Sequence, residues 1–169
     1  YYKNRRVKLQ NQYIQIISLI HRISVNLDME KITNFKDTYP SATTFFSEWA
    51  ETGKDEGMEK GHADSVNFMF DQLSSKFKKP FSALDVGCGN GWVVRKFNKT
   101  QRCKVAMGVD GAEKMIQKAQ EIDSSNQYFC EDILQWSPLQ KFNIIHSMEV
   151  LYYLEDPSKL VNSIYSEWL

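Results

Sequence analysis

The 169-residue sequence has no excess of charge of either sign and few cysteines. Its 21 basic residues are balanced by 21 acidic residues, so the formal net charge is zero. A protein that binds nucleic acid usually carries a basic surface, and this balance indicates none. The three cysteines are scattered and odd in number, without the paired spacing of a zinc site or a set of disulfides. The sequence therefore predicts neither a nucleic-acid partner nor a metal, and it favours a reducing, cytoplasmic location.

A long uninterrupted apolar run is also missing from the N-terminal segment, residues 1–28. Four isoleucines in it have a spacing that fits one face of a helix: Ile14, Ile17, Ile20 and Ile23. His21 and Arg22 interrupt this run and no small-residue cleavage site follows it, which argues against a membrane anchor and a signal peptide. The composition also fits AT-rich untranslated sequence read through to a true start at Met29. Residues 1–28 are therefore predicted to be an extension that is either non-native or disordered.

The most informative segment runs from Phe81 to Gly91 and reads Phe-Ser-Ala-Leu-Asp-Val-Gly-Cys-Gly-Asn-Gly. It combines a short apolar strand, an acidic residue and three alternate glycines. Glycines at the end of a strand let the backbone turn sharply and approach a ligand closely, and a helix follows from residue 91 or 92. This arrangement is typical of a loop that holds an adenosine-type ligand.

One class of such loops requires a small residue that this sequence does not have. Dehydrogenases that bind a dinucleotide need Gly-x-Gly-x-x-Gly/Ala, in which the third small residue lets the helix pack close to the strand. Counting from Gly87, that position is Trp92. An indole there would push the helix away from the sheet, so the sequence argues against an oxidoreductase.

The segments that follow the glycines have the order of a doubly wound sheet. A predicted strand over 104–109 ends at Asp110, about 20 residues beyond the glycines, where a carboxylate can accept hydrogen bonds from ribose hydroxyls. The periodicity then predicts a helix over 112–122, a third strand over 127–130 and a fourth over 142–147.

Taken in order, these motifs resemble those of class I S-adenosylmethionine-dependent methyltransferases of the small-molecule type. The glycine loop matches hydrophobic-Asp-hydrophobic-Gly-x-Gly-x-Gly, and the segment 148–157, Met-Glu-Val-Leu-Tyr-Tyr-Leu-Glu-Asp-Pro, matches the turn after the fourth strand. The resemblance covers roughly residues 45 to 169. It implies an α/β, Rossmann-like sheet with helices on both faces. It also implies S-adenosylmethionine as cofactor, S-adenosylhomocysteine as product and a small-molecule methyl acceptor.

The resemblance further implies binding roles for particular residues. Asp85 would orient the glycine loop or bind the methionine amino group through water, Asp110 would hold the ribose, and Asp132 would meet the adenine. The other expected cofactor contacts are Gly87, Cys88, Gly89, Gly91, Gly111, Met115, Ile133, Ser147 and Met148. No catalytic base is named, because in-line attack on an activated methyl group needs mainly alignment and exclusion of water.

The segment 29–80 is predicted to form a lid and a helix ahead of the cofactor-binding domain, 81–169. Its aromatic cluster includes Trp49 and is followed by a charged, glycine-punctuated run over 53–62, which is interpreted as a solvated polar turn rather than a metal site. A helix is predicted from the apolar residues Val66, Met69, Phe70, Leu73 and Phe77. Candidate lid or substrate residues are Trp49, His62, Tyr152 and Tyr153, with surface or core packing as the alternative for each.

The recognisable strands are fewer than the resemblance implies. The expected order, three, two, one, four, leaves the fourth strand without its usual neighbour. An exposed apolar edge of this kind favours pairing with another chain, for which a homodimer is one form. We therefore expect a domain truncated after the fourth strand and its helix. A non-catalytic module that binds the cofactor or a partner chain is the alternative to an active methyltransferase.

Overall fold

The computed structural model describes residues 16–17, 40–76 and 78–169 of the chain. Five parallel strands form one sheet in the order β1-β5-β2-β3-β4. The strands are β1 (Ile16–Ile17), β2 (Phe81–Val86), β3 (Cys103–Asp110), β4 (Gln127–Cys130) and β5 (Ile144–His146). The predicted order of the four later strands is confirmed, because β4, β3, β2 and β5 follow one another across the sheet.

The helices of the described chain are joined to this sheet by short connections. They are α1 (Ala42–Thr52), α2 (Glu56–Lys76), α3 (Trp92–Asn98), α4 (Glu113–Ile122) and α5 (Pro157–Ser163). A 3-10 turn, Leu151–Tyr153, follows β5, and a turn with π-helical hydrogen bonding, Ile164–Trp168, extends α5. None of these described helices has the length and apolar character needed to cross a membrane.

Local capping explains where two of the helices begin. The Ser41 hydroxyl accepts a hydrogen bond from the Thr44 amide at 3.2 Å at the start of α1. At the start of α5 the Asp156 carboxylate accepts from the Lys159 amide at 2.9 Å, and Pro157 occupies the first turn. Both contacts satisfy amides that have no partner within the helix.

The central strand β2 is mostly apolar, with Ser82 and Asp85 as its polar residues, because both faces of the sheet are covered. Its successive side chains point to opposite faces, so Ala83 packs in one core and Leu84 in the other. Three helices cover the Ala83 face, through residues such as Val66 of α2, Val94 of α3 and Ile116 of α4. The other face is covered by α5 and the turn after it: Leu160, Ile164 and Trp168. Helices on both faces confirm the predicted fold class.

Two expectations about the earlier part of the chain need correction. Ile16–Ile17 is a strand that pairs with Ile145 and His146 of β5, not part of a helix, so this edge of β5 has a neighbour. The rest of segment 1–28 and Phe77 lie outside the described residues. The charged run over 53–62 is mostly helical, because α2 begins at Glu56 and includes Gly57 and Gly61.

The turn into α3 gives a test of the fold. Gly91 has φ 78°, and a Cβ there would lie 2.5 Å from Cε1 of Tyr128, whose side chain is buried. We expect Gly91→Ala to lower the free energy of unfolding by about 2 to 4 kcal/mol, from backbone strain and overpacking together. Gly57→Ala is the control, because no atom lies within 4 Å of its added Cβ and alanine favours a helix. Urea unfolding checks both variants, and equal effects would contradict the packing described.

Candidate functional site

A cavity of about 720 Å³ lies at the carboxyl ends of the strands. Gly87 follows β2, Asp110 ends β3, Asp132 follows β4 and Met148 follows β5, and all four line it. Ligands of open α/β sheets bind at this end of the strands, and the volume suits a small molecule. On the opposite side the cavity is lined by residues of α1 and the first turns of α2: Ala42, Thr43, Phe46, Trp49, Met58 and His62.

The turn after β2 is built so that backbone, not side chains, meets the cavity. Gly87 has φ 74°, and a Cβ on it would lie 2.2 Å from Cγ2 of Val150. The amides of Gly87 and Cys88 donate to the Val109 carbonyl oxygen at 2.8 and 3.1 Å. A side chain at position 87 therefore has no room, and the segment after β5 packs directly on the turn.

Asp110 joins the glycine turn to the next helix. One carboxylate oxygen accepts from the Gly89 amide and the other from the Ala112 amide, each at 2.8 Å. Burial raises the pKa of Asp110, and the two amide donors offset part of that rise. The sequence predicts that this carboxylate binds ribose. It gives no sign of the hydrogen bond that the same carboxylate accepts from the glycine turn.

Asp85 lies beneath the glycine turn and contacts a histidine. Its Oδ1 is 2.6 Å from Nδ1 of His146, and each side chain is only 4% exposed. The two residues are register partners on β2 and β5. Among the described residues, no hydrogen-bond partner reaches Nε2 of His146 or the hydroxyl of Ser147. Asp85 thus pairs with His146, whereas the side-chain contact to the glycine turn comes from Asp110.

Most of the predicted site residues do come together around the cavity. Those that line it are Gly87, Gly89, Asp110, Gly111, Met115, Asp132, Ile133, Met148, Trp49, His62, Tyr152 and Tyr153. Asp85, Cys88, Gly91 and Ser147 are buried and are not part of its lining. Cys88 faces the core beside Gly108, and burial raises the pKa of its thiol well above the ordinary value, which makes a reactive thiolate unfavourable.

Aromatic side chains from two distant segments meet at the mouth of the cavity. We call the four that line it, Phe46, Trp49, Tyr152 and Tyr153, the aromatic rim. The ring centroids of Phe46 and Tyr153 are 5.4 Å apart, those of Phe46 and Trp49 are 5.6 Å apart, and those of Tyr152 and Tyr153 are 4.4 Å apart. Tyr152 is 65% exposed, so the rim presents apolar surface to an incoming molecule.

Glu149, which the sequence did not single out, also lines the cavity. Its φ of 59° is the one positive φ among the described residues other than glycine. Such a conformation costs a residue with a Cβ about 1 to 2 kcal/mol. The Tyr152 hydroxyl donates to Glu149 Oε2 at 2.5 Å, and burial, followed by this hydrogen bond, raises the pKa of Tyr152.

The interpretation of the charged run as a solvated turn is wrong for Asp55, which is completely buried. Its carboxylate accepts from Nδ2 of Asn90 and from Nζ of Lys118, both at 2.8 Å. The hydrogen bond that Lys118 donates to Asp55 is the main reason that the pKa of Lys118 is raised. Asp55 therefore ties the connection between α1 and α2 to the glycine turn and to α4. Within the described part of the chain, no group of acidic, histidine and cysteine residues could hold a metal ion.

Comparison with known proteins gives a family for this arrangement. A family model described as "Methyltransferase domain" matches residues 54–167. The ubiquinone biosynthesis O-methyltransferase of Coxiella burnetii is 27% identical over 143 residues, which are 82% of this chain and 56% of that protein. The malonyl-[acyl-carrier protein] O-methyltransferase 1 of Ilyobacter polytropus is 31% identical over 93 residues, 53% of this chain and 34% of that protein. The chain thus spans about half, or less, of these curated relatives.

Solved structures share the fold at low identity. The magnesium protoporphyrin IX methyltransferase of Synechocystis PCC 6803, with bound SAM, has a TM-score of 0.58 and 19% identity, over 75% of this chain and 73% of that one. The putative methyltransferase in a complex with the Haloferax volcanii Trm112 methyltransferase activator has a TM-score of 0.60 and 24% identity, over 75% of this chain and 55% of that one.

The buried ion pair of Asp55 gives a second prediction. Asp55→Ala leaves the buried side-chain amide of Asn90 without its partner and leaves the ammonium group of Lys118 with Glu56 Oε1 at 3.6 Å, so we expect the free energy of unfolding to fall by about 1 to 3 kcal/mol. Glu51→Ala is the matched control, because it removes an exposed ion pair with Lys114 at 3.8 Å and should cost less than about 0.5 kcal/mol. Urea unfolding measures both, and similar losses in the two variants would count against a structural role for Asp55.

Proposed function

This chain belongs to the methyltransferase-domain family, whose members use S-adenosylmethionine, and from that premise we propose that it transfers the cofactor's methyl group to a small-molecule nucleophile. The observation that carries the proposal is the position of Asp110, with its carboxylate at the cavity and its oxygens hydrogen-bonded to Gly89 and Ala112. A carboxylate fixed in this way, beside a glycine turn, suits the ribose hydroxyls of an adenosine ligand.

The remaining inner lining supports a cofactor that extends across the ends of the strands. Gly87 and Gly89 leave room for the methionine end, and Met148 lies beside them in the lining. Asp132 and Ile133 are at the far end, after β4, where they would meet the adenine. Gly111 and Met115 line the same region and complete the proposed cofactor site.

The proposed lid consists of α1 and the start of α2, within segment 29–80, over the cofactor domain at 81–169. Trp49 and His62 line the cavity from this side, and Tyr152 and Tyr153 line it from the segment after β5. The contact between Phe46 and Tyr153 joins the two sides. We assign these residues to the acceptor side because the inner lining suits the cofactor.

The mechanism requires little proton chemistry from the chain. When bound, the cofactor supplies an electrophilic methyl group on a sulfonium. The glycine turn and Asp110 would fix the position of the donor, while the aromatic rim would align the acceptor and exclude water. Cys88 takes no part, because its thiol is buried away from the cavity lining.

The acceptor is assigned only by class. Two relatives in the comparisons are named for ubiquinone biosynthesis and for magnesium protoporphyrin IX, which are small-molecule routes. A third is named for malonyl-[acyl-carrier protein], which widens the range of acceptors to consider. One structural neighbour is described in a complex with a methyltransferase activator, which keeps a protein partner, or a second copy of this chain, within the proposal. Location in the cytoplasm likewise stays a prediction.

A second candidate function is a non-catalytic module that binds the cofactor without methyl transfer. The observation behind it is that the glycine turn and Asp110, which carry the proposed cofactor site, have binding roles only. The two functions differ in one readout: only an enzyme converts S-adenosylmethionine to S-adenosylhomocysteine when an acceptor is supplied.

The cofactor assignment is tested by calorimetric titration with S-adenosylmethionine and S-adenosylhomocysteine, with NADH as a comparison ligand. We expect saturable binding of the two sulfur compounds and none of NADH. Asp110→Ala should weaken binding by about 30-fold to 100-fold, because it removes the ligand's hydrogen bonds to a charged acceptor.

Asp64→Ala is the control for this titration, because Asp64 is exposed on α2 and does not line the cavity. It should bind like the unaltered chain. Circular dichroism establishes that both variants are folded. A folded chain that binds neither sulfur compound, or that binds them equally well after Asp110→Ala, contradicts the proposed cofactor site.

The raised pKa of Asp110 predicts a pH dependence of cofactor binding. The ionised carboxylate accepts hydrogen bonds from ribose, and binding is lost as pH falls through the pKa of Asp110. Because burial raises that pKa, the loss should begin above the range of an ordinary aspartate, whose pKa is 3.8. We expect affinity for S-adenosylhomocysteine to decrease on acidification, starting at a pH above the range in which an ordinary aspartate titrates.

Asp110→Asn isolates the contribution of this residue to the pH profile. The other cavity carboxylates and His62 are unchanged in the variant, so the difference between the two profiles reports Asp110 alone. The variant should bind more weakly and with a flatter profile, and parallel profiles would refute the assignment.

A further inference from the structure

Acidic side chains outnumber basic ones in the cavity lining of the described part of the chain. The described lining has no lysine or arginine. Its acidic members are Asp110, Asp132, Glu149 and Glu155. A concave site lined by charge of one sign concentrates ligands of the opposite sign. The cavity therefore favours a cationic molecule over an anionic one.

Two of these carboxylates belong to the inner part of the cavity, where the cofactor is proposed to bind. Asp110 accepts from backbone amides of the glycine turn and α4, and Asp132 accepts from the Leu134 amide at 2.9 Å. Glu149 belongs to the outer part, because the hydroxyl that it binds is that of Tyr152, a member of the aromatic rim. Glu149 is thus the carboxylate that adjoins the acceptor side.

The backbone of Glu149 is held in a conformation that its side chain disfavours. Its φ is 59°, and the next residue, Val150, is packed against Gly87. Oε2 accepts from Tyr152, while no donor within the described ranges reaches Oε1. Strained residues concentrate at ligand sites, where the surrounding structure fixes a functional group. Here the group that is fixed is a carboxylate with one oxygen available at the cavity.

The aromatic rim adds a second element of selectivity. Aromatic faces attract cations, and they also stack on flat apolar rings. Tyr152 and Tyr153 are 65% and 46% exposed, so their rings are accessible to a ligand at the cavity mouth. A carboxylate beside several rings is suited to an organic ammonium group.

We propose that Glu149 and the aromatic rim select a methyl acceptor that carries a cationic amine beside a flat apolar ring. Glu149 is a specificity residue in this proposal, since it contacts the acceptor and not the transferred methyl group. The inference rests on the proposed function, because it assumes that the inner cavity is occupied by the cofactor.

Three probes that differ mainly in charge test this selectivity: tyramine, 4-ethylphenol and 4-hydroxyphenylacetate. Their binding is measured by ligand-observed NMR near neutral pH, on protein saturated with S-adenosylhomocysteine. We expect tyramine to bind at least about tenfold more tightly than the anionic probe, with the neutral probe between them. Added salt should reduce this preference.

Glu149→Gln keeps the size of the side chain and removes its charge. It should reduce the preference for tyramine about tenfold and leave the affinity for S-adenosylhomocysteine within about threefold. The matched control is Glu59→Gln, since Glu59 is exposed on α2 and does not line the cavity. A purely structural Glu149 would alter unfolding without altering the order of the probes.

The outcomes separate this inference from the proposed function. If S-adenosylhomocysteine binds but tyramine has no advantage over the anionic probe, or keeps its advantage in Glu149→Gln, the acceptor inference is overturned and the cofactor site stands. If S-adenosylhomocysteine does not bind, the proposed function fails. The probes are therefore also compared on the unliganded protein, where loss of the preference in Glu149→Gln alone still supports the charge selectivity.

Discussion

The cavity depends on the carboxylate of Asp110. Its two oxygens accept from the amides of Gly89 and Ala112 at 2.8 Å, so a single side chain fixes the glycine turn relative to the start of α4. The Val109 carbonyl oxygen, which accepts from Gly87 and Cys88, reinforces the same junction. Amide dipoles compensate a half-buried carboxylate where no basic group lies against it. The floor of the site is consequently made of backbone, because the side chains between the glycines do not line the cavity: Cys88 packs in the core and Asn90 donates to Asp55.

The sequence is sufficient to predict strands β2 to β5 and most of the residues that line the inner part of the cavity, because both are encoded locally. An apolar strand that ends in alternate glycines predicts β2 and its turn. Asp110, the acidic residue that ends β3, lies at the cavity because all the parallel strands end at the same edge of the sheet. Tertiary packing overrides local pattern where the prediction is wrong. Asp55 is in a charged run, yet its partner Lys118 is 63 positions away, so its burial has no local signal. The positive φ of Glu149, next to Val150 where it packs on Gly87, likewise has no local signal.

The cavity has two chemically different parts. The inner part has glycines, backbone amides and two carboxylates, which suit a polar ligand with hydroxyl and amino groups. The outer part has rings from α1 and from the segment after β5, with Glu149 between them and the interior. Because these parts come from separate segments, the outer one can differ among related proteins while the inner one keeps its geometry. This separation gives a physical basis for related proteins to use one cofactor with many different acceptors.

The contacts of Asp55 also bear on how molecules reach the cavity. Through Asn90 and Lys118 this residue joins the base of the lid to the glycine turn and to α4. The end of the proposed lid near Asp55 cannot move away unless the buried carboxylate of Asp55 loses its contacts with Asn90 and Lys118, which makes that route slow. The opposite end is held by ring contacts such as that of Phe46 with Tyr153, which slide and reform without exposing a charge. In the proposed function this favours entry at the aromatic end, where an acceptor would pass the rings before it meets the donor.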